Sequence, residues 1–255
     1  MMMKTALIIG HPAHELRIYK FLEVYKPRVY ILTDGSGSKN TSRITSSLEL
    51  ISATGSTPSK IMGRFTDQQL YQIILQKDLE LIHDVIDEIL TDLIEHNIEM
   101  LVGDALEGFN PTHDLCRYMI NTMVEIYHRR TGKEIMNYDF LLEGSPRDYH
   151  EDDSSNTLLL HLTETELDRK ISAANNYREI RADFERTIAK YGRQMFQVET
   201  LRPVKVPYLV KDWETEYPFY EEYGKQKVLE GEYKGVIYFE KHILPIVEAL
   251  SHYRR

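Results

Sequence analysis

The residue types best suited to chemistry occur in two short segments, each placed after an apolar run. Gly10-His11-Pro12-Ala13-His14-Glu15 directly follows Ala6-Leu7-Ile8-Ile9, and Asn110-Pro111-Thr112-His113 comes after the apolar run at 100–103. Such turns from a strand into a helix are where α/β proteins usually place their sites. Neutral imidazoles are good zinc ligands, and a catalytic zinc usually takes three protein ligands. His11, His14 and His113 are therefore the candidate ligands of a zinc or related divalent ion, provided that the two strands are neighbours.

A structural role for the same histidines is the competing interpretation. His11 and His14 could cap the helix that follows them, and His113 could satisfy backbone groups near another helix start. The spacing of the three residues leaves both interpretations open.

Acidic and amide side chains near the second segment are the candidate catalytic groups. Asp104 and Glu107 follow the run at 100–103, and a carboxylate near an activated water can act first as a general base and then as an acid. Asn110 could donate a hydrogen bond to a developing oxyanion. The alternatives are a turn-capping Asp104, a solvated Glu107 and an Asn110 that is an ordinary turn residue before proline.

A glycine-containing loop, Asp34-Gly35-Ser36-Gly37-Ser38, follows the second strand and belongs to the same rim. Its glycines allow the backbone to approach a ligand closely, and Asp34 is a candidate substrate-binding residue. The loop lacks a GxGxxG pattern, so it predicts no dinucleotide site. Three arginines could reach this rim and bind a hydroxylated or anionic group, although each could equally be a surface residue: Arg17, Arg43 and Arg64.

The bulk composition limits the class of protein. A chain of 255 residues with 42% hydrophobic content can bury a full core. The net charge of −9 argues against nucleic-acid binding, because no dense basic face is available for phosphates. The single cysteine, Cys116, fits a reducing compartment, and no segment approaches 18 consecutive apolar residues. We therefore expect a cytoplasmic protein with no membrane span, whose oligomeric state, including homo-oligomerisation, stays open.

Strands and helices alternate along the first half of the sequence, which predicts an α/β fold with a Rossmann-like, mostly parallel sheet and helices on both faces. Strands are predicted at 4–10, 28–33, 60–63, 100–103 and 134–142, and helices at 15–25, 42–53, 67–96 and 112–130, the third of these as one long helix or two. Farther along, a strand is predicted at 157–162 and helices at 164–191 and 235–250, with a solvated polar loop at 144–156.

The regular alternation of strands and helices is confined to the first half of the sequence, and the predicted domain organisation follows from this difference. Residues 1–200 are expected to form the Rossmann-like domain, and residues 201–255 a C-terminal elaboration packed on it. The elaboration is rich in aromatic residues, which favours packing of an irregular segment and leaves carbohydrate stacking as the alternative.

The motifs resemble those of the PIG-L/LmbE family of zinc-dependent N-acetylglucosaminyl deacetylases. The family's first motif, His-Pro-Asp-Asp-Glu, is similar to His11-Pro12-Ala13-His14-Glu15, and its second, His-Pro-Asp-His, is similar to Asn110-Pro111-Thr112-His113. The segment Ile31-Leu32-Thr33-Asp34-Gly35 resembles the family's second strand end, and 170–177 is similar to a later helix. The likeness extends over residues 4–180. It implies a Rossmann-like fold and zinc ligation by His11, His14 and His113, with a histidine in place of the family's aspartate ligand.

Both proton-handling positions of the family are altered in this sequence. Ala13 stands where the resemblance expects the general base, and Asn110 stands where it expects a histidine that assists the transition state. If hydrolysis persists, another carboxylate must carry the proton, and Asp104, Glu107 and Glu15 are the candidates.

These observations predict a metal-dependent amide hydrolase that acts on an N-acylated sugar or sugar conjugate, a small-molecule or glycan substrate. Two alternatives remain: a non-catalytic or repurposed sugar-binding protein on the same scaffold, and a sugar-modifying transferase or lyase.

Overall fold

The computed structural model describes residues 3–37, 40–143, 156–204 and 208–253. Seven strands form one sheet in the order β3-β2-β1-β4-β5-β7-β6. The strands are β1 (Thr5–Ile9), β2 (Arg28–Thr33), β3 (Thr57–Phe65), β4 (Met100–Asp104), β5 (Met136–Phe140), β6 (Leu158–His161) and β7 (Val198–Pro203). The first five are mutually parallel, which confirms the predicted α/β class with a mostly parallel sheet.

The centre of the sheet is formed by β1, which pairs with both β2 and β4. Ile8 is in register with Tyr30 on one side and with Gly103 on the other. Every residue of β1 and β4 is buried, as expected for central parallel strands covered on both faces. The turn after β1 and the turn after β4 therefore lie side by side at the carboxyl edge of the sheet.

Two antiparallel pairings extend the sheet beyond β5. Tyr138 of β5 pairs with Pro203 of β7, and Leu158 of β6 pairs with Leu201 of β7. The domain boundary predicted at residue 200 falls inside β7. The sequence shows no linker at this point, and the strand continues the sheet across it.

Helices cover both faces of the sheet. They are α1 (Tyr19–Tyr25), α2 (Ile44–Thr54), α3 (Asp67–Gln76), α4 (Leu79–Glu95), α5 (Pro111–Thr131), α6 (Glu164–Asn176), α7 (Arg181–Tyr191), α8 (Phe219–Leu229) and α9 (Leu244–Ser251). Two 3₁₀ helices (His14–Ile18 and Arg193–Phe196) and a π-helix (Phe239–Ile243) complete the described elements. No helix among the described residues is long and apolar enough to cross a membrane.

Two apolar clusters flank the sheet. One contains Ile8 and Leu101 together with residues of α3, α4, α5, the π-helix and α9. The other contains Leu7 and Val102 with residues of α1, α2 and the end of α6. Because Ile8 and Leu7 are successive strand residues, they point to opposite faces. The C-terminal helices belong to the first cluster, so residues 237–250 help to build the main core.

The predicted helices were right in position. The segments 15–25 and 164–191 were wrong in continuity, while 67–96 forms two helices, one of its two predicted alternatives. The segment 15–25 begins as a 3₁₀ helix before α1, and 67–96 is two helices because Lys77 adopts left-handed backbone and Asp78 caps α4. The predicted helix 164–191 is wrong as one element, since α6 ends at Asn176 and α7 begins at Arg181. The predicted helix 235–250 is a π-helix followed by α9, and α8 was missed. Most of the predicted loop at 144–156 lies outside the described residues.

The edge strand β3 is irregular where it pairs with β2. Its register shifts twice, between Val29 and Ile31 and again between Ile31 and Thr33. Gly63 takes a φ of 72°, and a Cβ there would come within 2.7 Å of Ile44. The strand is longer than the predicted segment 60–63. Its end leads into α3 at the same edge of the sheet as the ends of β1 and β4.

Substitution of Gly103 by alanine tests the close packing at the sheet centre. A Cβ at this position would lie 2.5 Å from the carbonyl oxygen of Ile8 and 2.4 Å from Ile120. We expect Gly103→Ala to lower the free energy of unfolding by about 1–3 kcal/mol, because the strand or the helix must shift. Urea unfolding measures the change. Gly235→Ala is the matched control, since its Cβ would meet only ordinary contacts at 3.7 Å; equal stability of the two variants would contradict the prediction.

Candidate functional site

The three predicted histidines meet at the carboxyl edge of the sheet. His11 follows β1, His14 opens the 3₁₀ helix, and His113 lies in the first turn of α5. The ring centroids are 5.4 Å apart for His11 and His14, 5.1 Å for His11 and His113, and 4.5 Å for His14 and His113. We refer to these three residues as the histidine cluster.

A carboxylate and a hydroxyl orient the His11 ring. Its Nδ1 lies 2.7 Å from Thr33 Oγ1 and 3.0 Å from Asp67 Oδ1. The Thr33 hydroxyl also donates to the carbonyl oxygen of Gly10, so the end of β2 supports the end of β1. A carboxylate next to Nδ1 favours a proton on that nitrogen, which leaves Nε2 with its lone pair. His11 Nε2 is buried and has no hydrogen-bond partner in the part of the chain that the structure describes.

Asp104, the last residue of β4, orients the His14 ring. Its Oδ1 lies 2.9 Å from His14 Nδ1, and its Oδ2 accepts from the backbone N–H of Gly10 at 2.7 Å. The side chain is fully buried. Because both carboxylate oxygens are engaged, this geometry favours a positioning role for Asp104.

His113 completes the cluster without a carboxylate partner. Only 6% of the residue is exposed, and its buried Nδ1 finds no hydrogen-bond partner within the described ranges. Helix α5 places it there, because Asn110 caps the helix and Pro111 occupies its first turn.

Burial favours the neutral form of two of the rings. It lowers the pKa of His14, although Asp104 opposes the shift, and it lowers the pKa of His113 well below the ordinary range, helped by the neighbouring imidazoles. Asp67 stays ionised. Burial would raise its pKa, but the hydrogen bond and charge of His11 hold the pKa well below its usual range.

The donor set fits a divalent ion such as zinc. Buried imidazole nitrogens without partners occur on His11 and His113, and two rings have the outer carboxylates that typically orient zinc-ligating histidines. Within the described ranges, ligand atoms of three side chains all lie within 4.8 Å of one another only at Asp92, Glu95 and His96. The histidine cluster is therefore more open than that spacing, and its rings would have to draw together around an ion.

The Asp92 group is a weaker metal site. It is partly exposed, and Asp92 already accepts hydrogen bonds from Arg28 and Tyr30.

The other predicted catalytic residues, Glu107, Asn110 and Glu15, differ in burial and in hydrogen-bond partners. Glu107 accepts the backbone N–H groups of Leu142 and Glu143, at 3.0 and 3.1 Å, and burial raises its pKa to about 7. Asn110 Oδ1 accepts from the N–H of Thr112, which leaves its amide nitrogen as the donor group. Glu15 is fully buried, and Ser47 donates to its Oε1, while its Oε2 has no hydrogen-bond partner among the described residues.

Ala13 occupies the turn between the first two histidines. Its φ is 85°, so this residue adopts left-handed backbone without the freedom of glycine. The turn lets His11 and His14 face one another, and the methyl group of Ala13 can move no proton.

The predicted substrate-binding residues separate into two groups. Arg17 lines a cavity with His14 and His113, and its Nε donates to the carbonyl oxygen of Leu141. Arg43 Nε donates to the carbonyl oxygen of Gly35, and Asp34 Oδ1 accepts from the N–H of Ser36, so both organise the rim loop. Within that loop, Ser38 lies outside the described residues.

Arg64 lies apart from these residues. Its guanidinium is half exposed and forms a 3.8 Å ion pair with Glu88 on α4, and it lines neither cavity at the histidine cluster. Its position in β3, with the side chain turned toward α4, explains the difference from the prediction.

Asp67 and Thr33 are the site residues that sequence reasoning missed. Asp67 begins α3 directly after β3, and Thr33 is the last residue of β2. The rule that pointed to the histidines, namely polar residues at the carboxyl ends of parallel strands, applies equally to both. The predicted strand at 60–63 was too short to place Asp67 on that edge.

The fold is similar to that of known deacetylases. The A40926 pseudoaglycone deacetylase aligns with a TM-score of 0.52 at 14% identity, over 80% of this chain and 97% of that one. A deacetylase of the teicoplanin biosynthetic pathway aligns with a TM-score of 0.50 at 13% identity, over 78% and 97%. No protein-family model matches the sequence, and no curated protein matches it. At this identity the similarity establishes the fold alone.

Metal binding tests the interpretation of the histidine cluster. We expect the protein to bind about one zinc ion per chain, and each of His11→Ala, His14→Ala and His113→Ala to abolish stoichiometric binding. Asp67→Asn and Asp104→Asn should weaken zinc binding by about 10–100-fold, because they remove the groups that orient the rings. Competition with a chelating dye measures the affinities. His128→Ala, on the exposed face of α5, is the control, and unchanged binding in the cluster variants would contradict a metal site.

The protonation of Glu15 gives a pH-dependent stability. Burial raises its pKa from 4.5 to about 7, so the folded protein retains a proton that the unfolded chain has released. This contribution makes stability fall as pH rises from about 4.5 to about 7. Glu15→Gln should remove that slope and raise the free energy of unfolding at pH 8 by up to about 3 kcal/mol. Urea unfolding of the metal-free protein and of the variant at pH 5 and pH 8 measures this pH dependence. If the free energy of unfolding of Glu15→Gln fell with pH as steeply as that of the unaltered protein, the prediction would be refuted.

Proposed function

We propose that this protein is a metal-dependent amide hydrolase that removes an acyl group from an N-acylated sugar or sugar conjugate. The observation that carries the proposal is the convergence of three imidazoles at the carboxyl edge of the sheet, two of them buried and two of them oriented by carboxylates. The deacetylase fold and the resemblance of the two motifs support the same reaction class.

The histidine cluster would hold the ion, with Asp67 and Asp104 fixing the rings of His11 and His14. A divalent ion bound there would supply a Lewis acid that polarises a carbonyl and lowers the pKa of water. The two outer carboxylates would balance part of its charge.

Glu107 is the proton acceptor that we assign among the predicted candidates. A group whose pKa is about 7 can both take and return a proton near neutral pH. Glu107 also holds the backbone of Leu142 and Glu143, and these two residues line the cavity that contains His14 and His113. Asp104 has both oxygens engaged and Glu15 is fully buried, whereas Glu107 is partly exposed.

Asn110 would stabilise the developing negative charge on the acyl oxygen. It lines a cavity together with His11, and its side-chain oxygen is fixed by the helix cap. A preorganised amide donor of this kind typically contributes about 10²–10³-fold to the rate.

Amine release from N-acetylglucosamine conjugates by the zinc-loaded protein tests the reaction. Glu107→Gln should lower kcat by at least about 100-fold and remove the acidic limb of the pH–rate profile, because the proton acceptor is lost. Zinc binding by this variant should be retained. Glu134→Gln, at a side chain that is 87% exposed and lines neither cavity, is the matched control, and full activity of Glu107→Gln would exclude its role.

A non-catalytic sugar-binding protein is the second candidate, and Ala13 is the observation that favours it. The side chain between the two histidines carries no ionisable group, although its backbone holds a conformation that costs energy. This alternative expects sugar conjugates to raise the melting temperature of the protein with no free amine produced.

A further inference from the structure

The histidine cluster opens into two separate cavities. His11 lines one of about 590 Å³, and His14 and His113 line another of about 860 Å³. Since the three rings contact one another, the cavities meet at the cluster from two sides. If a bond of a ligand lies over the cluster, the groups on its two sides would therefore each have a cavity to occupy.

The first cavity, which we call the aromatic cleft, combines ring faces with side-chain amides. Phe109 and Phe219 stack in parallel at 5.0 Å, and Tyr223 continues the wall at 6.1 Å from Phe219. These three residues are 37%, 53% and 41% exposed, so part of each side chain is accessible to a ligand. The cleft is also lined by four amide side chains, Asn40, Gln68, Gln72 and Asn110.

This combination suits a sugar ring. The apolar face of a pyranose can lie on an aromatic ring, while its hydroxyls exchange hydrogen bonds with amide groups that both donate and accept. An alkyl chain would leave the amides without partners, which is unfavourable in a cleft.

The second cavity, which we call the α7 cavity, has a more aliphatic wall. Its apolar wall comes from the start of α7, the 3₁₀ helix that follows it and the segment after β5: Leu142, Ile180, Phe184, Met195 and Phe196. Its polar lining comes from four charged or amide side chains: Arg17, Glu143, Asp183 and Gln194. None of the α7 residues is buried, so the apolar side of this helix is only half covered by the protein. Flexible Met and branched Ile side chains adapt well to an alkyl chain.

We propose that the substrate has two arms: a sugar in the aromatic cleft and an acyl chain longer than acetyl in the α7 cavity. The amide that joins them would lie over the histidine cluster. This inference rests on the proposed function for the position of the amide, and it assigns the substrate class as long-chain N-acyl amino sugars or their conjugates. Hydrolysis would add water across the C–N bond and release a carboxylic acid and the free amine.

Binding of N-octanoylglucosamine and N-acetylglucosamine to the zinc-loaded chain, measured by titration calorimetry, tests the proposal. We expect the octanoyl compound to bind at least about tenfold more tightly, because added methylenes leave water. Phe184→Ala should reduce this ratio, and Thr187→Trp, which fills the cavity from α7, should abolish it. The second variant keeps the test valid if Phe184→Ala loses stability.

Two further variants separate the arms. Phe219→Ala should weaken both compounds by a similar factor and leave the chain-length ratio intact, because it removes part of the sugar wall. Leu229→Ala, at a surface residue that is 89% exposed, should change neither affinity. Equal affinity of the unaltered protein for both compounds would overturn the proposal, as would a chain-length ratio that Thr187→Trp leaves unchanged.

The binding measurement distinguishes this inference from the proposed reaction. A chain-length preference without amine release would refute hydrolysis and keep the two-armed ligand. Amine release without any chain-length preference would keep the hydrolase and refute the long acyl arm.

Discussion

The carboxylate of Asp104 joins the parts of the site that the sequence separates most widely. It receives the backbone N–H of Gly10 and lies against the imidazole of His14, so it ties the end of β4 to the end of β1 and to the helix that follows. The backbone oxygen of the same residue accepts from the buried guanidinium of Arg117 on α5. A buried carboxylate is stable only when its oxygens are satisfied, so these elements can hardly move independently. The relative position of all three histidines depends on this residue.

The sequence was sufficient to predict the sheet class and the metal-ligand candidates, because both follow from short patterns. Fully buried strands are continuous apolar runs, and polar residues at their ends converge at one edge of a parallel sheet. It was insufficient for the helix break after Asn176, and it left open whether 67–96 is one helix or two, because apolar periodicity continues across a local change in backbone. Of the two partners of His11, Asp67 was missed because the predicted strand at 60–63 was too short to place it at the sheet edge, whereas the rule that pointed to the histidines applies equally to Thr33. The position of the Arg64 side chain differs from the prediction, because the place of a residue in a strand does not determine which helix its side chain contacts.

The negative charges at this site lie on carboxylates that contact the candidate ligands, whereas in a centre with a carboxylate ligand one such charge would lie on the ligand itself. The three candidate ligands are imidazoles, while Asp67 and Asp104 stand one layer farther out, against His11 and His14. An ion held in this way would keep more of its positive charge toward the substrate. Under the proposed function, this arrangement would suit the polarisation of an amide carbonyl, with Glu107, which holds the backbone of two residues of the cavity wall, as the proton acceptor.

The two irregular register positions along β3 have a consequence for how copies of this protein meet. As the outer strand beside β2, β3 presents backbone groups that could template a strand from another molecule. Pro58 lacks an N–H to offer, and the bulged segment around Met62 disturbs the spacing of the remaining groups. The irregularity that carries the chain into Asp67 thus also makes this side of the sheet a poor surface for continuing a β-sheet between molecules.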